Sequence, residues 1–326
     1  MAPVSALNST LRYLAPAKVN LSLRVLGRRT DGYHLLRSVM TFFPLYDTLT
    51  ITVTDTPEIR VQCTPDVTTN MEDNLVFRAA RALQGQNNVR QGALIQLHKQ
   101  IPTGAGLGGG SSDAATTLLA LNQLWQLECS QDTLCDLGVT LGADIPFFVR
   151  GRAALVEGIG ERITPLPQLP LFPLVLIHPG ITLATKQVFA AMGLPVPSVT
   201  AWVREELREP VQEQLTIDTN PSSMRFGFAG DGGEMACPFH NDMAPSAMRL
   251  APVIGDLVRV LERAGAQQVV MSGSGSTVAG LFPDVHAARR VARSLEHASG
   301  HAGWSVFSGV TFNASQPASS APGFRR

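Results

Sequence analysis

The chain has 326 residues, 44% of them apolar, with 29 glycines and 22 prolines, which suits two domains rich in turns and excludes a collagen-like or low-complexity protein. Lys plus Arg total 26, as do Asp plus Glu, so the formal net charge is zero. That balance argues against a protein that binds nucleic acid by neutralising many phosphates, while a local cluster of donors for a small anion stays possible.

Cys63, Cys129, Cys135 and Cys237 form no CxxC pair and no zinc-like spacing with histidine, and read as reduced thiols of a cytoplasmic protein. No basic segment followed by an apolar one opens the chain. The longest apolar run, Leu169 to Ile177, is broken by Pro170 and Pro173 and is too short to span a bilayer, so no membrane partner is expected.

Taken in order, residues 1–11 read as a flexible lead. Ala17 to Val25 alternates as a strand, with Lys18, Asn20, Ser22 and Arg24 on one face. Residues 48–54 give a second half-buried strand, and Ala93 to Ile101 a third that stops at Pro102. Ser111 to Leu127 carries Ala114, Leu118, Leu121 and Trp125 at helical spacing, with Ser111, Ser112 or Asp113 as cap. A second helix follows Ser130 and stops near Gly142. Pro146 is expected to keep Ile145 out of the helical region, which leaves Asp144 on a tight loop. Residues 151–166 read as a hairpin.

The composition shifts near Pro170. The expected division is a first domain at 12–168, a second at 169–313 and a flexible tail at 314–326. Residues 195–240 show little periodicity. Beyond them come a helical pattern at 246–264, a strand–turn–strand at 269–282, a helix at 287–297 and a strand at 306–312.

The segment of strongest chemical character is Pro102, Thr103, Gly104, Ala105, Gly106, Leu107, Gly108, Gly109, Gly110, Ser111, Ser112. Five glycines ahead of a helix let successive amides face one anion, and the helix N-terminus adds partial positive charge. A capped helix after a glycine-rich loop is the plain alternative. A dinucleotide fold lacks its acidic residue at a strand end, and a Walker loop lacks its lysine. Lys18 with Asn20, Asp144, and the turn Met271–Ser276 each have an ordinary structural reading when taken alone: a solvated strand face, a turn former and a hairpin.

In order and spacing these segments resemble the GHMP kinase superfamily. The residues that carry the likeness are Ala15-Pro-Ala-Lys-Val-Asn-Leu21, Gly27-Arg-Arg-Thr-Asp-Gly-Tyr-His34, Gly106 to Ala115, Leu141-Gly-Ala-Asp-Ile-Pro-Phe-Phe148 and Glu157-Gly-Ile-Gly-Glu161. The likeness is greatest to the branch that uses ATP to phosphorylate the 2-hydroxyl of a cytidine-diphosphate-linked methylerythritol in the non-mevalonate isoprenoid route. It covers most of residues 13–190, returns at 241–282 and weakens at 191–240.

The resemblance implies an α/β (α+β) two-domain fold, with a ribosomal-protein-S5-like first domain, a ferredoxin-like second domain and ligands in the cleft between them. Asp144 is implied as general base and Lys18 as its partner, and Asn20 as a holder of the substrate alcohol. Tyr33, His34 and Phe189 are implied to recognise cytosine, with the rings of Tyr33 and Phe189 stacking and the imidazole bonding the polar edge. Phe189 has core packing as its alternative. Asn74 and Lys99 match positions lining the adenine pocket, and read equally as a helix cap and an exposed strand residue. Magnesium accompanies ATP, with Ser112 as its expected protein ligand. A monomer or weak homodimer is expected. The rival readings are a homoserine or mevalonate kinase, a non-catalytic nucleotide sensor on the same fold, and a dehydrogenase.

Overall fold

The computed structural model describes residues 10–68, 70–194, 215–217, 225–228, 234–236, 239–297 and 303–314. Cys237, residues 1–9 of the expected lead, 315–326 of the expected tail and most of 195–240 fall outside them.

The frame is a pair of long antiparallel strands, β1 (Thr10–Arg28) and β2 (His34–Thr54). The alternation seen at 17–25 and 48–54 marks only the middle of one and the end of the other. Thr10 and Leu11 already pair with Thr52 and Ile51, inside the expected lead. Three register shifts, at Pro16/Ala17, Asn20/Ser22 and Val25/Gly27, interrupt the ladder and increase its local twist.

β3 (Ile59–Thr64) lies parallel to β4 (Gly92–His98), which pairs with the second half of β2. β5 (Ala154–Gly158) pairs with the first half of β2, and β6 (Arg162–Pro165) completes the expected hairpin. Four helices cover this sheet: α1 (Leu75–Gln86), α2 (Gly109–Leu124), α3 (Gln131–Val139) and α4 (Ile145–Arg150). Helix α4 corrects the reading of Pro146. Proline occupies the first turn, where its missing N–H costs nothing, so Ile145 is helical and Asp144 stands at the helix N-terminus.

The second sheet has the order β12–β13–β7–β14, from β7 (Pro173–His178), β12 (Gln268–Met271), β13 (Val278–Leu281) and β14 (Ser305–Val310), all antiparallel. Against it lie α5 (Thr185–Met192), α6 (Ala244–Leu250), α7 (Val253–Arg263) and α8 (Val285–Glu296). The helical pattern expected at 246–264 is thus two helices, parted at Ala251 and Pro252. A separate small sheet comprises β8 (Leu215–Ile217), β9 (Arg225–Phe228) and β10 (Glu234–Ala236). After it the chain returns to the first sheet, where β11 (His240–Asn241) pairs parallel with Ser22 and Leu23 of β1.

Three apolar cores follow from this arrangement. One fills the space between the first sheet and α1–α4, and another lies between the second sheet and its helices. The middle core joins the lobes: Ala17, Val19 and Leu21 of β1 pack with Ala105, Leu107, Leu176, Val270 and Ala279. β1 is therefore buried on both faces, and Lys18, Asn20 and Ser22, 1–3% exposed, are not a solvated strand face. Cys63, Cys129 and Cys135 are free thiols. Among the described residues no helix is long and apolar enough to cross a membrane.

Candidate active site

A cavity of about 1200 Å³ runs along the junction of the lobes. At its centre Lys18 Nζ stands 3.7 Å from Asp144 Oδ2. The same ammonium donates to Asn20 Oδ1, and Asn20 Nδ2 donates to Ser38 Oγ at 2.7 Å. Burial lowers the Lys18 pKa below lysine's ordinary value, and the Asp144 carboxylate opposes that shift. The carboxylate itself is a third exposed. Ala143, just before it, meets the β5–β6 turn so closely that a Cβ on Gly160 would lie 2.7 Å from the Ala143 carbonyl oxygen. That turn lies in the Glu157–Glu161 segment that carries part of the family likeness, and its positioning of Ala143 was not read from the sequence.

The glycine loop forms one wall. Its carbonyls are tied into the protein: Lys18 N donates to Leu107 O at 3.0 Å, Thr277 N to Ala105 O at 3.2 Å and Ser272 Oγ to Gly106 O at 2.9 Å. By contrast, none of the N–H groups from Gly104 to Ser111 donates to a protein group among the described residues. Helix α2 starts at Gly109, earlier than the expected Ser111. Gly108 is its N-cap at φ 70°, with no capping side chain. The first-turn amides are thus left for a ligand, the usual arrangement of an anion site.

All the expected loop residues line the cavity except two. Leu107 is buried in the middle core, and Ser112 is fully buried with its hydroxyl unpartnered. Ser111 is the loop serine on the cavity wall. Gly106 needs both its positive φ of 77° and its missing side chain, since a Cβ there would lie 2.1 Å from Ser272 O. The turn from Met271 to Ser276 is therefore not only a hairpin. Ser272 also accepts from Asn20 N at 3.2 Å, while Gly273 and Ser274 face the cavity. Asn241 of β11, passed over in the sequence reading, holds this turn by donating to Met271 O at 2.6 Å and Gly273 O at 2.7 Å.

At one end lie Asn74 and Lys99. Asn74 is the cap of α1, its side chain accepting from Val76 N at 2.9 Å. Lys99 is not an exposed strand residue. It sits just beyond β4, its ammonium bonded to Asp47 and, at 2.6 Å, to Asp113. At the other end Tyr33 stands 60% exposed, with Arg28, His34 and Phe189. The rings of His34 and Phe189 stack with centroids 4.0 Å apart. Burial and the positive charge of Arg28 hold His34 below its ordinary value, so its ring is neutral near pH 7. Among the described residues no cluster of three or more His, Cys, Asp or Glu is placed to hold a metal ion.

An amide-lined loop, a buried lysine beside an aspartate and two lobes joined over the cavity define a small-molecule kinase of the GHMP class. Residues 74–152 match the model of the GHMP kinases N terminal domain, and residues 228–301 that of the GHMP kinases C terminal region. A 4-diphosphocytidyl-2-C-methyl-D-erythritol kinase of Geobacter sp. (strain M21) is 41% identical over 290 residues, covering 89% of this chain and 96% of that protein. One from Variovorax paradoxus (strain S110) is 43% identical over 274 residues, covering 82% and 86%. A crystal structure of a 4-(cytidine 5'-diphospho)-2C-methyl-D-erythritol kinase superposes with a TM-score of 0.70 at 35% identity, covering 92% of this chain and 98% of that one. A homoserine kinase from Cytophaga hutchinsonii shares the fold, with a TM-score of 0.64 at 17% identity. The chain belongs to the 4-diphosphocytidyl-2-C-methyl-D-erythritol kinase family.

Proposed function

We propose that this protein transfers the terminal phosphate of ATP to the 2-hydroxyl of 4-diphosphocytidyl-2-C-methyl-D-erythritol, within non-mevalonate isoprenoid biosynthesis. The observation that carries this reading is the Lys18–Asp144 pair, set between a loop with unengaged amides and an aromatic end suited to a pyrimidine. Family membership supports the choice of alcohol. Asp144 takes the hydroxyl proton as the oxygen attacks the γ-phosphorus, the bond to the β–γ bridging oxygen breaks, and ADP leaves. The Lys18 ammonium pairs with the Asp144 carboxylate and offsets charge on the transferring group. Asn20 orients the alcohol, and the loop amides hold the triphosphate.

Asn74 and Lys99 mark the adenine end. Tyr33, His34 and Phe189 mark the cytosine end, where a neutral imidazole both donates and accepts on the polar edge of the base. Of the oxygen donors that line the cavity, the partly exposed Asp144 carboxylate and the Ser111 hydroxyl beside the loop amides fit a magnesium ion carried in on the phosphates. Magnesium shields the phosphate charge when bound, and Ser111 replaces Ser112 as the serine placed to reach it. The free thiols support a reducing, cytoplasmic setting, and a monomer or weak homodimer suffices.

The test is ATP consumption with the cytidine-linked methylerythritol beside homoserine, mevalonate and plain alcohols. Turnover confined to the cytidine compound is the expected result. Turnover on a cytidine-free alcohol alone, or ATP binding with no turnover on any alcohol, defeats the reading.

A further inference from the structure

Among the described residues four lysine and arginine side chains line the cavity: Lys18, Arg28, Lys99 and Lys186. Lys18 faces Asp144, and Lys99 is bonded to Asp47 and Asp113. No described carboxylate pairs with Arg28 or Lys186. The cations without a partner are thus those at the pyrimidine end.

Arg28 closes β1 and stands opposite His34, the first residue of β2. The turn between them is tightly built. Arg29 N donates to Tyr33 O at 2.6 Å, and Gly32 N to Arg29 O at 3.0 Å. The acid of that turn is already engaged: Asp31 binds the Arg29 guanidinium at 2.8 Å and accepts from Tyr33 N at 3.2 Å. Arg28 is left over. Its guanidinium lies against the turn, where a Cβ on Gly32 would be 3.8 Å from Nη2, and the His34 ring feels its charge. Arg28 Nε is shut off from solvent and has no hydrogen-bond partner. A buried charged donor with no acceptor is costly, and on a cavity wall an anionic ligand removes that cost. Lys186 is exposed in the first turn of α5, three residues before Phe189 and so on the same face of the helix.

We propose that Arg28 grips the diphosphate of the cytidine-linked alcohol and is a specificity-determining residue, with Lys186 adding charge from α5. This rests on the proposed function, which sets the pyrimidine at Tyr33, His34 and Phe189 and the alcohol at Lys18 and Asp144. The linker between those two ends is a diphosphate, with a negative charge on each phosphate. A guanidinium presents parallel N–H groups to phosphate oxygens, which an ammonium cannot do. Selectivity then has two sources. The diphosphate gains the charged hydrogen bonds, and an alcohol without it leaves a buried donor unpaired.

The test uses the whole protein, with ADP saturating the glycine loop, and compares wild type with Arg28→Met and Arg28→Lys. Dissociation constants are measured for CDP and for cytidine, which lacks the phosphates. Arg28→Met should weaken CDP binding about ten- to hundredfold, the weight of hydrogen bonds between charged groups, and leave cytidine binding as it is. Arg28→Lys should fall between the two, because the charge returns without the fork. The methionine variant loses no protein hydrogen bond of the guanidinium, and its binding of cytidine reports that the turn is intact. Equal weakening toward CDP and cytidine, unchanged CDP binding, a lysine variant no better than the methionine one, or a wild type that binds CDP no more tightly than cytidine would each overturn the assignment. A wild type that phosphorylates no cytidine compound would instead remove the proposed function, and the comparison of CDP with cytidine would still decide whether Arg28 takes a diphosphate.

Discussion

His34 and Phe189 lie face to face, ring centroids 4.0 Å apart and planes 6° from parallel. Rings in contact at that spacing leave no slot for a third, so a nucleobase using the Phe189 face must displace the imidazole first. His34 is fixed near the start of β2, while Phe189 rides on α5. A base that enters between these two rings therefore exchanges one stack for another.

Phe189→Ala should raise the KM for the cytidine substrate about tenfold, the usual weight of one base–aromatic contact. The KM for ATP should stay as it is. Steady-state kinetics with each substrate varied in turn check this, and an equal rise in both values would take Phe189 out of the cytidine end.

Asp144→Asn should lower kcat by about two to four powers of ten, the usual contribution of a positioned base. Asp144 is a third exposed and supports no core element, so the variant should remain folded by circular dichroism. Near-normal kcat would remove Asp144 from the mechanism.

Lys18→Met should abolish turnover yet melt no lower than the wild type at pH 7, because a buried ammonium gives way to an apolar chain of similar length. The sign follows from the lowered pKa. The folded protein holds this proton less tightly than the unfolded chain does. The stability that Lys18 contributes is present above lysine's ordinary value of 10.5 and is lost as pH falls through its folded value. The variant's advantage in melting temperature should therefore shrink as pH rises toward 10.5, which thermal scans across pH read directly.

Gly106→Ala should destabilise by about 2–3 kcal/mol, the range for a residue forced into a strained backbone position with a steric clash. The added carbon cannot avoid Ser272 O without moving the turn before β13. Denaturant melts measure the loss. A change within 0.5 kcal/mol of wild type, the noise of surface substitutions, would show the loop to be free of that turn.

The elements were legible where one face alone is buried. Alternation marks β4 and the end of β2, and helical spacing marks α3, because each has a clear inside and outside, whereas α2 was legible from Ala114, Leu118 and Leu121 although it is buried nearly all round. β1 misleads, since both its faces are covered: Lys18, Asn20 and Ser22 alternate like a solvated face yet are buried, with Lys18 and Asn20 lining the cavity. Pro146 misleads because a residue that stops a helix in its interior also starts one. The cavity's central pair was legible as local motifs. The partners of Lys99 were not, because Asp47 and Asp113 lie 52 and 14 residues away and no spacing rule links them. Ser111 and Ser112 are adjacent, and only the actual start of α2 at Gly109 settles which of the two reaches the cavity.

The short strand His240–Asn241 has a further consequence. It supplies the outer neighbour of Ser22 and Leu23 and, through Asn241, the grip on the turn after β12. A fragment ending ahead of it would present a raw sheet margin and stick to itself. Two separately expressed halves should regain activity only when the later one brings that dipeptide, which makes it the natural seam for a split-enzyme reporter.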